Sequence, residues 1–225
     1  MVKFLYKMMV EIFYIPYVLI IFIRKFYGKE DKFKFREKIL PNKIKRPDGF
    51  LFWFHVASIG ELNSILPLMD FFLKKDKKYN ILITTVTVSS YNQLKKKYEN
   101  NNRVFHQFLP YDSIFLINSF FKNWKPNIVS FIDSEIWPNF ISKIKKMGLP
   151  FILLNARITK KTFKRWKIIN SFAYELFGSF SVSISSSRET ADYLSYLKSR
   201  NIKYFGNIKF CSSINKSEKF DKNQF

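Results

Sequence analysis

Cysteine is nearly absent from this chain: Cys211 is the only one, and there are only two histidines. A disulfide framework is impossible, and a Cys/His zinc site is disfavoured. There is no G-x-G-x-x-G and no phosphate-loop Lys-Ser/Thr motif, which argues against a nicotinamide enzyme or a nucleoside triphosphatase. Acidic residues are scarce, 17 against 39 Lys and Arg, for a net charge of +22. Internal repeats and long low-complexity segments are missing. No small-residue cleavage site follows the apolar N-terminal run. Charges follow it instead, which argues against a cleaved signal peptide.

Hydrophobic residues make up 47% of 225, enough to bury a sizeable core. So basic a balance points to an anionic partner: phospholipid, phosphorylated glycolipid or nucleic acid. Lys, Asn, Ile, Phe and Tyr are all abundant together, the pattern of an AT-rich coding bias, which weakens the inference from charge. Residues 8–23 read MMVEIFYIPYVLIIFI, with Glu11 the only charge. That is shorter than the ~20 residues of a spanning helix, though residues back to Phe4 extend it. A basic block follows, with ten Lys/Arg between Arg24 and Arg46 against Glu30, Asp31 and Glu37. A buried core helix is one reading. A membrane anchor, spanning or interfacial, is the preferred one, with the basic flank on the cytoplasmic side against anionic headgroups. Tyr14, Tyr17, Phe26 and Tyr27 suit an interfacial belt.

Beyond residue 48 the pattern alternates. Short apolar runs at 50–56, 80–87, 103–109, 127–133, 150–156, 179–185 and 202–207 predict strands. Helical spacing predicts helices at 61–74, from a Ser89 or Ser90 cap to 98, and over 114–124, 137–147, 160–177 and 187–199. Pro67 is expected to bend its helix. Gly148 closes another. This is an α/β chain: a single Rossmann-like, doubly wound parallel sheet covered on both faces over residues 49–210. Residues 1–48 are the anchor helix and basic linker, and 211–225 a polar tail.

Ligands in such folds bind outside the carboxyl ends of the strands. Four segments there carry chemistry. In His55-Val-Ala-Ser-Ile-Gly-Glu61, Ser58 and Gly60 make a tight turn, and Gly60 lets a ligand approach the backbone. Glu61 opens the helix, whose N-terminus favours its ionised form. It either accepts a proton from a sugar hydroxyl or simply occupies a first turn, where acids are common. In Asp133-Ser-Glu135-Ile-Trp-Pro-Asn139, Trp137 and Pro138 make an apolar wall and Glu135 a polar contact. The same loop also reads as an ordinary cap through Asp133 or Ser134. Arg157 precedes Lys160, Lys161, Lys164, Arg165 and Lys167, with no acid before Glu175. That stretch is a solvated face or a docking surface for phosphates. Lys209, past the last strand, can offset negative charge on a leaving group. His55 and His106 fall inside strands and read as satisfied core or rim histidines.

Taken in order, WFHVASIGELNSILPL, ILITTVTVSS, HQFLPYD, SEIWPNF, LLNARI and GNIKF resemble the amino-terminal half of the 3-deoxy-D-manno-octulosonic acid (Kdo) transferases. The resemblance runs from about Phe4 to Phe210. It implies the amino-terminal domain of a two-domain, metal-independent, inverting GT-B glycosyltransferase. Such an enzyme uses no cofactor and moves Kdo from its donor substrate CMP-Kdo to the lipid A precursor of lipopolysaccharide, at the cytoplasmic face of the inner membrane. It also implies that Glu61 is the general base and that Glu135 and Lys209 stabilise the transition state. Ser58, Gly60, Trp137 and Arg157 are the substrate-binding candidates. The phosphates of the lipid A precursor and of the bilayer give the basic stretches a target.

The chain stops where the family's donor-binding domain begins. A separately encoded second half, a truncated gene and a cropped sequence are the options, and little transfer is expected of the chain alone. A non-catalytic, membrane-bound glycolipid-binding remnant is the alternative function. Nucleic-acid binding has only the charge in its favour and is not expected.

Overall fold

The computed structural model describes residues 1–42, 44 and 46–206. Seven strands, β1 (Phe50–Val56), β2 (Tyr79–Thr85), β3 (Val104–Phe108), β4 (Ile128–Ile132), β5 (Phe151–Ala156), β6 (Val182–Ser185) and β7 (Ile202–Tyr204), form one sheet in the order 3-2-1-4-5-6-7. Every pairing is parallel, as the both-sided apolar runs require. Strand order reverses between β1 and β4, where His55 lies opposite Phe131.

Two N-terminal helices, α1 (Val2–Ile12) and α2 (Tyr14–Phe26), precede the sheet. The helices between strands are α3 (Ile59–Lys75), α4 (Val88–Tyr98), α5 (Ile114–Trp124), α6 (Pro138–Lys146), α7 (Lys160–Ile168), α8 (Asn170–Phe177) and α9 (Arg188–Tyr196). Alternation along β1 sends Leu51 and Trp53 into a core with α5, α6, α8 and α9, and Phe52 and Phe54 into a second core with α3 and α4. Burying each such side chain stabilises the fold by about 1.5–3 kcal/mol. The second face is less fully covered than expected. Beside α3 it opens into a cavity of about 480 Å³ lined by Phe52, Phe54, Pro67, Leu68, Ile128 and Ile152. Its walls hold no carboxylate, so it is not the place where the acidic loops meet.

Several sequence expectations need correction. The cap of α4 is Thr87, whose side chain accepts from the Ser90 amide, and not Ser89 or Ser90. The single helix expected over 160–177 breaks at Ile169, whose backbone leaves the helical region at φ −115° and ψ 42°. Strand β6 starts at Val182, three residues late. The N-terminal run is two helices bent by 46°, and among the described residues no single helix is long and apolar enough to cross a membrane.

One side of this helical pair is fastened to the domain by polar contacts. Tyr6 donates to Asp112 at 2.7 Å, Glu11 accepts from the first amide of α5 at 2.9 Å, and Tyr17 stacks on Tyr111. Lys3 pairs with Glu175. The buried Glu30 carboxylate takes Arg24 at 2.6 Å and Lys38 at 2.5 Å. Part of the basic block is therefore spent inside the protein. Phe4, Ile12, Ile15, Leu19, Ile23 and Phe26 stay exposed on the other side.

Candidate active site

The loops after β1 and β4 meet where the strand order reverses, the place at which an open parallel sheet leaves a crevice. Glu61 lies three residues into α3 from its cap, Ser58. The Ser58 hydroxyl accepts from the Glu61 amide at 3.3 Å and donates to Glu61 Oε1 at 2.9 Å. The Ala57 amide donates to Glu61 Oε2 at 2.8 Å. This is a capping box shifted by one residue, and it ties the carboxylate to the strand-to-helix turn.

The structure corrects the expected electrostatics of Glu61. Burial pushes its carboxyl upward, the bonds from Ala57 and Ser58 pull the other way, and the charges of Glu135 and Asp133 add to the rise. The net direction is up, because the residue is 8% exposed and desolvation outweighs the helix terminus. A carboxylate held this way is a stronger base than an exposed one. Each of its oxygens accepts one bond and keeps a lone-pair site.

Glu135 sits across the crevice in the opposite condition. Burial pushes it up as well, but the hydrogen bond and charge of His55 and the indole of Trp137 outweigh that and leave it below the ordinary range. Both bonds fall on Oε2: His55 Nε2 at 3.2 Å and Trp137 Nε1 at 2.9 Å. Trp137 opens α6 with no side-chain cap, and Pro138 follows it. Neither Asp133 nor Ser134 caps that helix. Asp112, from the loop after β3, does so instead, accepting from the amides of Asn139 and Phe140, both at 3.0 Å. Asp133 takes the left-handed conformation at φ 59° and bonds Asn155, itself at φ 55°.

Gly60 is helical, exposed and open. A Cβ there would meet only Ser58 Oγ, at 3.9 Å. The fold does not demand glycine, so a turn requirement fails to explain it. Arg157 is exposed at the end of β5, and its backbone joins the site through bonds with Asp133 and Ser134. No contact brings its guanidinium to either glutamate. The basic helix α7 buries none of its residues, and Lys167 lies over the rings of Phe163 and Tyr196. Lys209 lies outside the described residues.

Local sequence signals did not reveal two participants. His55 is a satisfied buried histidine, as expected, but its partner is the carboxylate of Glu135, 80 residues away. Asp112 stands two residues before α5, yet the helix it caps is α6, 27 residues on. His106, also satisfied, bonds Thr85 and Lys34 at the far edge of the sheet, and burial with nearby Lys34 and Lys38 holds it well below the usual histidine range.

The family model described as 3-deoxy-D-manno-octulosonic-acid transferase (kdotransferase) matches residues 28–212. The chain is similar to a 3-deoxy-D-manno-octulosonic acid transferase of Rickettsia bellii, 36% identical over 196 residues, which cover 87% of this chain and 46% of that protein. A transferase of the same name from Rickettsia felis is 36% identical over 162 residues, covering 72% of this chain and 34% of its own length. The chain thus spans less than half the length of these relatives. Among solved structures, a UDP-GlcNAc 2-epimerase of Neisseria meningitidis bound to UDP-GlcNAc shares the fold, with a TM-score of 0.54 at 12% identity. That match covers 78% of this chain and 51% of the epimerase.

Proposed function

The chain belongs to the 3-deoxy-D-manno-octulosonic acid transferase family, and from that premise we propose that it forms the acceptor-binding half of an enzyme moving Kdo from CMP-Kdo to a lipid A precursor. The observation that carries the reading is the pair of carboxylates at the crevice, driven in opposite directions by their surroundings. Environments that separate two acids in this way divide their roles. Glu61, pushed upward, takes the proton of the acceptor hydroxyl as its oxygen bonds to the anomeric carbon of Kdo. The bond from that carbon to the CMP phosphate oxygen breaks, and CMP leaves. Glu135, held ionised, faces the positive charge that develops on the sugar ring. The open amide end of α3 at Gly60 and the Trp137 ring frame the acceptor, and exposed Arg157 meets an anionic group of either substrate. Lys209 is assigned to the leaving phosphate from the family resemblance.

The exposed apolar side of α1 and α2, flanked by exposed Lys29, Lys32 and Arg36, supports an interfacial rather than a spanning contact with an anionic membrane. That contact would present a lipid-borne hydroxyl to the crevice from the cytoplasmic face of an inner membrane.

The test is a fusion of this chain to the part of the Rickettsia bellii transferase that extends beyond the match. Kdo transfer to a lipid A precursor is expected, falling about 10²- to 10⁴-fold in Glu61→Gln. Unchanged transfer in that variant would remove Glu61 from the role of base. Binding of the precursor with no transfer in any fusion would favour a non-catalytic glycolipid-binding protein.

A further inference from the structure

Behind Glu135 runs a buried line of donors that the proposed chemistry does not use. Trp53 Nε1 donates to Thr84 Oγ1 at 2.8 Å, and Thr84 Oγ1 lies 3.0 Å from His55 Nδ1. His55 Nε2 lies 3.2 Å from Glu135 Oε2, which also accepts from Trp137. Trp53, His55 and Thr84 are fully buried on adjacent strands β1 and β2. Glu135, held ionised, can only accept, so His55 Nε2 is the donor to it, while Nδ1 lies against both oxygens of Thr84, the hydroxyl at 3.0 Å and the backbone carbonyl at 3.2 Å.

Both bonds to Glu135 land on Oε2. No buried side-chain oxygen among the described residues lacks a partner, and Oε1 has none, so Oε1 is open to solvent. A histidine placed only for packing has no need to end on a partly exposed carboxylate at the mouth of the crevice. We propose that His55 is a positioning residue: anchored through Thr84 and Trp53, it fixes one oxygen of Glu135 and so aims the other at the ligand. A single oriented carboxylate oxygen suits a sugar hydroxyl or a ring oxygen gaining positive charge. This rests on the role given to Glu135 above. What His55 adds is rigidity, because the loop from Asp133 to Trp137 joins the sheet in a strained left-handed turn, whereas β1 and β2 are core strands.

The 225-residue chain has only two histidines, so its ring signals are assigned with one His106→Gln variant. Glu135 is titrated by carboxyl carbon NMR in the wild type, His55→Leu and His55→Gln. Its midpoint is expected to move up in the leucine variant and to return toward the wild-type value in the glutamine variant, whose amide restores a donor. A midpoint that is the same in all three overturns the inference. A second measurement leaves position 55 untouched. In Glu135→Ala the His55 Nε2–H signal should move upfield and exchange faster with solvent, and an unchanged signal again overturns it. In the fusion described above, His55→Leu is expected to lower kcat roughly 10- to 100-fold, the worth of a charge-assisted hydrogen bond, with KM held and the acid limb of the pH profile shifted upward. Wild-type transfer in Glu135→Gln would sink the role of Glu135 while the titration still decides that of His55.

Discussion

Asp112→Ala tests how the N-terminal helices, the crevice and burial are coupled. The Asp112 carboxylate is 2% exposed and accepts from Tyr6 at 2.7 Å and from two α6 amides at 3.0 Å. Alanine removes a helix cap, worth about 1 kcal/mol, and strands a half-buried tyrosine hydroxyl, which costs about 1–3 kcal/mol more. The pH dependence is the sharper prediction. Burial pushes Asp112 from 3.8 up to about 6, against the pull of the Asn139, Tyr6 and Phe140 bonds. An acid whose folded value is raised contributes stability that is whole below its unfolded value and is lost as pH rises through its folded value. Between pH 4.5 and about 6 the unfolded chain is ionised at this position and the folded one is not. That interval of roughly 1.5 units corresponds to about 2 kcal/mol. The variant should therefore be destabilised by about 2–4 kcal/mol at pH 4.5, and by about 2 kcal/mol less at pH 7.5. Urea unfolding across that range measures the difference, and in melting temperature each kcal/mol is about 2–4 °C for a chain of this size. A gap that stays constant, or widens with pH, would show that the α6 amides hold Asp112 ionised and that burial does not dominate.

Glu61→Gln keeps the shape of its capping box but replaces one of the two oxygens that face Ala57 and Ser58 with an amide donor. It should lower stability by about 1–2 kcal/mol near pH 4, where the raised carboxyl contributes most, and by less as pH rises through its folded value, read by urea unfolding. Equal losses at both ends of the range would contradict the desolvation argument. Gly49→Ala forces a side chain onto φ +94° with its Cβ 2.3 Å from the Lys78 carbonyl oxygen. It should cost more than about 2 kcal/mol. Gly60→Ala meets nothing closer than 3.9 Å and should hold or gain up to about 1 kcal/mol, yet reduce transfer by the fusion if a ligand approaches that backbone. Full stability with full transfer would remove Gly60 from the site. Leu19→Glu with Ile23→Glu changes only exposed positions, so the fold should persist while sedimentation with anionic phosphatidylglycerol vesicles drops roughly 100-fold. Unchanged sedimentation would mean that the apolar face does not meet the membrane.

Much of the fold was readable because its signals are local. Short continuous apolar runs and period-3.6 patterns placed all seven strands and most helices, and Gly148, at φ +65° just past α6, closes that helix as expected. Boundaries failed where neighbours decided them. Thr87 outcompeted Ser89 and Ser90 because its oxygen reaches the Ser90 amide from outside the helix. In the site, Glu61 and Glu135 stood out as acids just past strands, and Trp137 as an aromatic beside one of them. The expected ionised state of Glu61 missed its burial, since the carboxylate is folded back over its own turn, a fact of packing and not of spacing.

From the chain alone came a parallel α/β sheet and the loops whose residues bear chemistry, because hydrophobic period and short-range capping act over a few residues. Tertiary structure decided which loops face each other. Strand order sets β1 beside β4, and only then does a histidine at 55 meet a glutamate at 135 and an aspartate at 112 cap a helix that starts at 138. Such pairings span 27 to 80 residues of chain and depend on strand order, side-chain burial and the cost of leaving a buried donor unmatched, none of which a local pattern records.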